Sequence, residues 1–235
     1  MTGIPDVQEL LGLKRTPIAV GFFDSPPPGV MAWDGGPVPS GCTFWREAQQ
    51  GRVFYTSAAD HYNCAVGAYT HNIALPAERA GELGQTLEFM GESNYVAMEE
   101  VPGIPTLEKS PNVVAYAPVD RASFTPDVVV VAAPPAQAML LYEAAIKADA
   151  SGALMNVLGR PGCAVLPLTM KSGSAALSLG CKGNRTYTGL PDGEMYVSIP
   201  GNRWAATANR LLEILAANQA IGAYHAGRKL EFQAV

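Results

Sequence analysis

"PDVVVVAAPPAQAMLLYEAAIKAD" occupies residues 126–149, and its first half decides the fold class. Val128, Val129, Val130 and Val131 put β-branched side chains on both faces of a strand, so apolar cover is needed above and below it. This is the environment of an interior strand in a layered sheet. The stretch from Pro134 to Asp149 reads as the helix that follows.

Other segments read outward from this one. "TPIAVGFFD" (16–24), "RVFYTS" (52–57), "NVVAYAPV" (112–119), "AALSLG" (175–180) and "EMYVSIP" (194–200) have strand character. "VQELLGL" (7–13), residues 42–50, a segment from Cys64, and "LPAERAGELGQTLEFMG" (75–91) have helical character, the last with Pro in its first turn and Gly at its end. A final helix starts near Asn202, with Trp204, Ala208, Leu211, Leu212 and Leu215 on one stripe. Strands alternating with helices predict an α/β fold, a layered sheet with helices on both faces. The 235 residues suit a single α/β domain. They also divide into similar halves, 1–111 and 112–235. Each has an apolar strand, a Gly-Cys helix start (Cys42, Cys163) and a second cysteine 22 or 18 residues later. The pattern points to a duplication.

Hydrophobic residues make up 48% of the chain and charged residues 16%, which allows a sizeable core under a lightly charged surface. A net charge of −5 argues against nucleic acid or an anionic membrane as partner. The opening residues are already amphipathic, with no basic n-region before an apolar h-region. The longest apolar run is broken by Pro134 and Pro135. A cytoplasmic location is expected, with the oligomeric state left open.

In a reducing compartment four cysteines are buried hydrophobes, metal ligands or catalytic thiols rather than disulfides. Cys42, Cys163 and Cys181 each follow a glycine, which permits close approach of the backbone to a ligand. Cys64 follows Asn63, a good N-cap residue. Cys42, Cys64 and Cys163 fall at helix starts, where a thiolate is favoured. Their spacing matches no paired zinc or ferredoxin signature, so only tertiary assembly can unite them. "DHYNC" places His61 beside Cys64, either as base and nucleophile or as two ligands, and His71 lies one to two turns later. His225 reads as a surface residue. Arg160, Lys182 and Arg185 flank Cys163 and Cys181 and could hold an anion or lower a thiol pKa. Residues 25–41, with five prolines, four glycines and Trp33, form a stiff irregular loop expected to fold over the site, with Trp33 excluding water. No GxGxxG, Walker A, GxSxG or HExxH motif is present.

"TPIAVGF", "GCTFWREA", "DHYNCAVGAY", "PDVVVVAAPPAQAM", "GRPGCAV", "SLGCKGNR" and "GEMYVSIP" together resemble the uncharacterised bacterial and archaeal family called domain of unknown function 169. The resemblance spans nearly the whole chain and implies no activity. It implies that the cysteine blocks are the family's pattern, which fits a shared metal or redox site at Cys42, Cys64, Cys163 and Cys181.

The leading expectation is a cysteine-ligated metal centre, an iron–sulfur cluster with zinc as the alternative, in a redox enzyme, electron-transfer protein or sensor. A rival is a metal-free cysteine enzyme acting on a small molecule, with Cys64 as nucleophile and His61 as base. A third reading is a small-ligand-binding protein whose cysteines are only packed. The expected partners are accordingly a small molecule or a redox protein.

Overall fold

The computed structural model describes residues 3–61, 63–148 and 156–233. Helix α1 (Val7–Leu11) is capped by Asp6, whose carboxylate accepts from the Glu9 amide at 3.1 Å. There follow β1 (Ile18–Phe23), α2 (Cys42–Gln49), β2 (Phe54–Ser57), α3 (Ala65–Thr70), α4 (Glu82–Glu92), β3 (Val113–Pro118) and β4 (Val128–Ala133). The chain continues through α5 (Pro135–Ala148), β5 (Asn156–Leu158), α6 (Val165–Ser172), β6 (Ala176–Ser178), α7 (Lys182–Thr188), β7 (Met195–Pro200) and α8 (Trp204–Gln233).

The strands form one open seven-stranded sheet in the order β2-β3-β1-β4-β7-β6-β5. The valine strand β4 lies between β1 and β7, and all six of its residues are buried. Its two faces feed two cores. Val128, Val130 and Ala132 pack with Ile18, Val20, Tyr116, Phe44, Trp45, Cys42 and Cys163 beneath α2 and α6. Val129, Val131 and Ala133 pack with Val7, Leu141, Trp204 and Leu211 of α1, α5 and α8. The fold is thus an α/β layer with helices on both sides.

Except for β5–β6, the strand pairings among the described residues are antiparallel. From the central pair β1–β4, the order runs β3 then β2 on one side and β7 then β6 on the other. Cys42 and Cys163 precede β2 and β6, whereas Cys64 and Cys181 follow them. The internal correspondence read from the cysteines therefore extends to the strands.

Three segments differ from the sequence reading. The helix expected at 75–91 is a short turn at Ala77–Arg79 followed by α4, and α4 has no buried residue. The buried stripe of α8 uses Trp204, Ala208, Leu211 and Ile214, whereas Leu212 is 47% exposed. The loop 25–41 pairs with the sheet: the Trp33 amide donates to the Tyr55 carbonyl at 2.8 Å and the Tyr55 amide to the Met31 carbonyl at 2.9 Å. Its centre thus runs along the outer edge of β2.

Candidate functional site: a cavity lined by four cysteines

Cys42 opens α2 and is 5% exposed. Ser40 Oγ accepts from the Cys42 amide at 3.4 Å and lies 3.3 Å from Cys64 Sγ. Cys64 stands just before α3, its sulfur turned back over Gly67. A Cβ at Gly67 would lie 2.6 Å from that sulfur, so the position needs glycine. Cys163 sits in the tight turn Gly162–Ala164 that feeds α6, its sulfur 3.4 Å from Thr70 Oγ1. Cys181 occupies the N-cap of α7, where Sγ accepts from the Asn184 amide at 3.4 Å. The Asn184 side chain, wholly buried, donates from Nδ2 to Cys42 Sγ, also at 3.4 Å. One asparagine therefore contacts a thiol from each half. All four cysteines line one cavity of about 860 Å³.

The thiols are electrostatically unequal. The hydrogen bond from Cys163 draws the Cys42 pKa down to about 7 against the effect of burial, with help from Asn184 and Ser40. The same bond, together with burial, pushes Cys163 well above the ordinary thiol range. Burial and the neighbouring charge of Cys42 raise Cys64. The directions of these shifts favour the thiolate at Cys42 over Cys163 and Cys64.

His61 is 1% exposed, and burial lowers its pKa to about 4. Thr56 Oγ1 donates to the Val114 carbonyl at 3.2 Å and lies 2.9 Å from His61 Nε2. A hydroxyl has one proton, so with that proton on Val114 the imidazole carries its own on Nε2. Nδ1 is then a free lone pair, and it has no hydrogen-bond partner among the described residues. It faces the gap beside Cys64: a Cβ on Gly41 would lie 3.2 Å from His61 Nδ1 and 4.0 Å from Cys64 Sγ. His71 is buried next to it, ring centroids 6.3 Å apart, and burial, then His61, lowers its pKa to about 3.

A family model described as uncharacterised ArCR, domain of unknown function 169, matches residues 6–210, a span that includes all four cysteines. The chain belongs to this family. A relative in Methanocaldococcus jannaschii, itself named only as uncharacterized, is 27% identical over 168 residues, covering 68% of this chain and 70% of its own length. No solved structure is significantly similar to the chain.

In this member of domain of unknown function 169, the residues singled out from the sequence divide into two sets. Arg160 and Lys182 line the cavity with the four cysteines, and His61 lies just behind Cys64. Trp33 and Arg185 are absent from the cavity wall. Trp33 packs on Phe44 and Phe54 with the Arg52 guanidinium 4.1 Å above its ring. Only the end of its loop, Pro39 and Ser40, reaches the cavity. Arg185 donates to the carbonyls of Leu179, Pro191 and Glu194, fastening the turn after α7. Among the described residues, no group of three or more His, Cys, Asp or Glu side chains is placed to hold a metal ion. Sequence reasoning passed over Ser40, Asn184 and Tyr95. Asn184 had a local signal, since it follows Cys181 by the three residues that separate an N-cap from the amide it accepts. Tyr95 had none, because its contacts to Arg160 and Lys182 are tertiary.

Proposed function

We propose that this protein is a cysteine-dependent enzyme that binds a small molecule in the thiol-lined cavity and attacks it with Cys42. The observation that carries the reading is Cys42 itself, buried at the start of α2 with its sulfur accepting from Asn184 and its pKa drawn down to about 7, at the wall of a ligand-sized cavity. In this chemistry the Cys42 sulfur forms a bond to an electrophilic carbon of the substrate. The Cys163 thiol supplies a proton to the anion that develops or departs. The test is iodoacetamide labelling at pH 7 with mapping of the modified cysteine. Cys42 should react first, and a Cys163→Ala variant should react more slowly at that pH. Labelling of Cys64 and Cys181 with Cys42 untouched would overturn the assignment.

A metal centre is the second reading, and the presence of four cysteines on one cavity wall favours it. Thiolates select zinc, copper(I) and iron–sulfur centres. A lone zinc ion needs its ligand atoms about 2.3 Å from a single point. The donor arrangement does not supply that point among the described residues. In a cluster each iron takes its own thiolate, so no common point is required. Anaerobic purification with iron and zinc analysis tests this reading. Stoichiometric iron with broad absorption at the blue end of the visible supports it, and metal-free protein with a fast-reacting Cys42 removes it.

A further inference from the structure

Residues 74–106, including α4, contain not one buried side chain. Yet Leu87, Met90, Val96 and Ile104 from this stretch line the cavity. An apolar face of a cover with no core behind it gains its burial from what lies beneath it. The opposite wall carries cations. Arg160 and Lys182 are exposed at the cavity mouth, whereas Cys42 and Cys163 are buried at its deep end.

Tyr95 joins the cover to the Arg160 guanidinium and to the backbone of Lys182. Its ring lies 4.7 Å beneath the Arg160 guanidinium, and its hydroxyl accepts from the Lys182 amide at 3.1 Å. Glu100, the one carboxylate among the described residues of the cavity wall, accepts from the Ala97 amide in its own turn at 3.4 Å. Neither Arg160 nor Lys182 forms an ion pair with a carboxylate among the described residues. On a chain of net charge −5, one cavity thus carries two cations with no carboxylate partner among the described residues.

We propose that the cavity takes an organic acid with an apolar body: its anionic head between Arg160 and Lys182, its body under Leu87, Met90, Val96 and Ile104, its far end toward Cys42. This assignment of substrate class rests on the reading of the cavity as the site where Cys42 acts. It places the reacting carbon distant from the acid group. Recognition of the head at the mouth then fixes how deep the substrate reaches, as remote binding contacts do in enzymes that position a substrate for attack.

The experiment is titration calorimetry of the full chain with decanoate and with decanol, a neutral molecule of similar body. Decanoate should bind one molecule per chain, at least about tenfold more tightly than decanol, the ratio expected for a modest ion-pair contribution. The Arg160→Gln/Lys182→Gln double variant should lose that preference while still binding decanol. An Ile104→Glu variant should bind neither well. Equal affinity for acid and alcohol in the native chain, retention of the preference in the double variant, or no binding of either would overturn the proposal. The two readings fail separately. Tight decanoate binding with an inert Cys42 sinks the thiol chemistry alone, and a reactive Cys42 with no acid preference sinks this inference alone.

Discussion

The Cys42 sulfur accepts a hydrogen bond from the buried Asn184 side chain, one of the contacts that lower its pKa. A hydrogen bond to a charged acceptor contributes about 1.5–3 kcal/mol, and one pKa unit corresponds to about 1.4 kcal/mol. Asn184→Ala should therefore raise the midpoint of Cys42 alkylation, about 7 in the native protein, by about one unit or more. The pH profile of iodoacetamide labelling measures it. His61 and His71 contribute differently, because both are neutral in the fold. In the unfolded chain each gains a proton near pH 6.5. Below that pH the unfolded state binds more protons, so stability falls as pH drops from about 6.5 toward the folded value of about 4 for His61. His61→Leu removes part of this penalty, and its melting temperature should fall less steeply over the same range. The thiols announced themselves through their glycine and cap contexts. The buried histidine tautomer was not legible, since it depends on Thr56 and Val114, which meet His61 only in the folded sheet.

Phe44 ties α2 to its surroundings, touching Trp33, Phe54, His61 and Tyr116 with ring centroids 5.1–5.9 Å apart. It is wholly buried, so Phe44→Ala should cost about 3–5 kcal/mol in chemical denaturation. Helix α8 presents the opposite case. Its burial ends at Ile214 and Leu215, and residues 216–232 are all exposed. That overhang is roughly 25 Å long at 1.5 Å per residue, a length at which an isolated helix is marginal in water. Deleting residues 220–235 should change the melting temperature by less than about 3 °C. The sequence placed α8 correctly but not its rotation. Leu211, Leu212, Ile214 and Leu215 fit two adjacent stripes, and packing on the face shared with α5 selects Leu211 and Ile214. The start of α4 was misjudged because Pro76 opens only a short turn before it.

At the scale of the molecule, stability is unevenly spread. The sheet is buried between two cores, whereas the cover at 74–106 has no buried side chain. Limited proteolysis should cut first within 74–106 and the exposed end of α8, leaving β1, β4 and β7 intact, and mass mapping of the fragments checks it. The layered fold was legible because four valines leave a strand no polar face. The common cavity was foreshadowed by the parallel order of the two cysteine pairs, though not its lining, which draws on α4, Tyr95 and Asn184 from distant parts of the chain. Composition marked loop 25–41 as irregular but could not say which wall it would meet. It meets the rim of the sheet, where a bare outer strand would offer unpaired amides and carbonyls to another chain. With Met31 and Trp33 hydrogen-bonded to Tyr55, and proline residues on both sides unable to carry the ladder onward, β2 has little left to recruit. The loop thus acts as a guard against edge-to-edge aggregation, and replacing its prolines would be felt first in solubility.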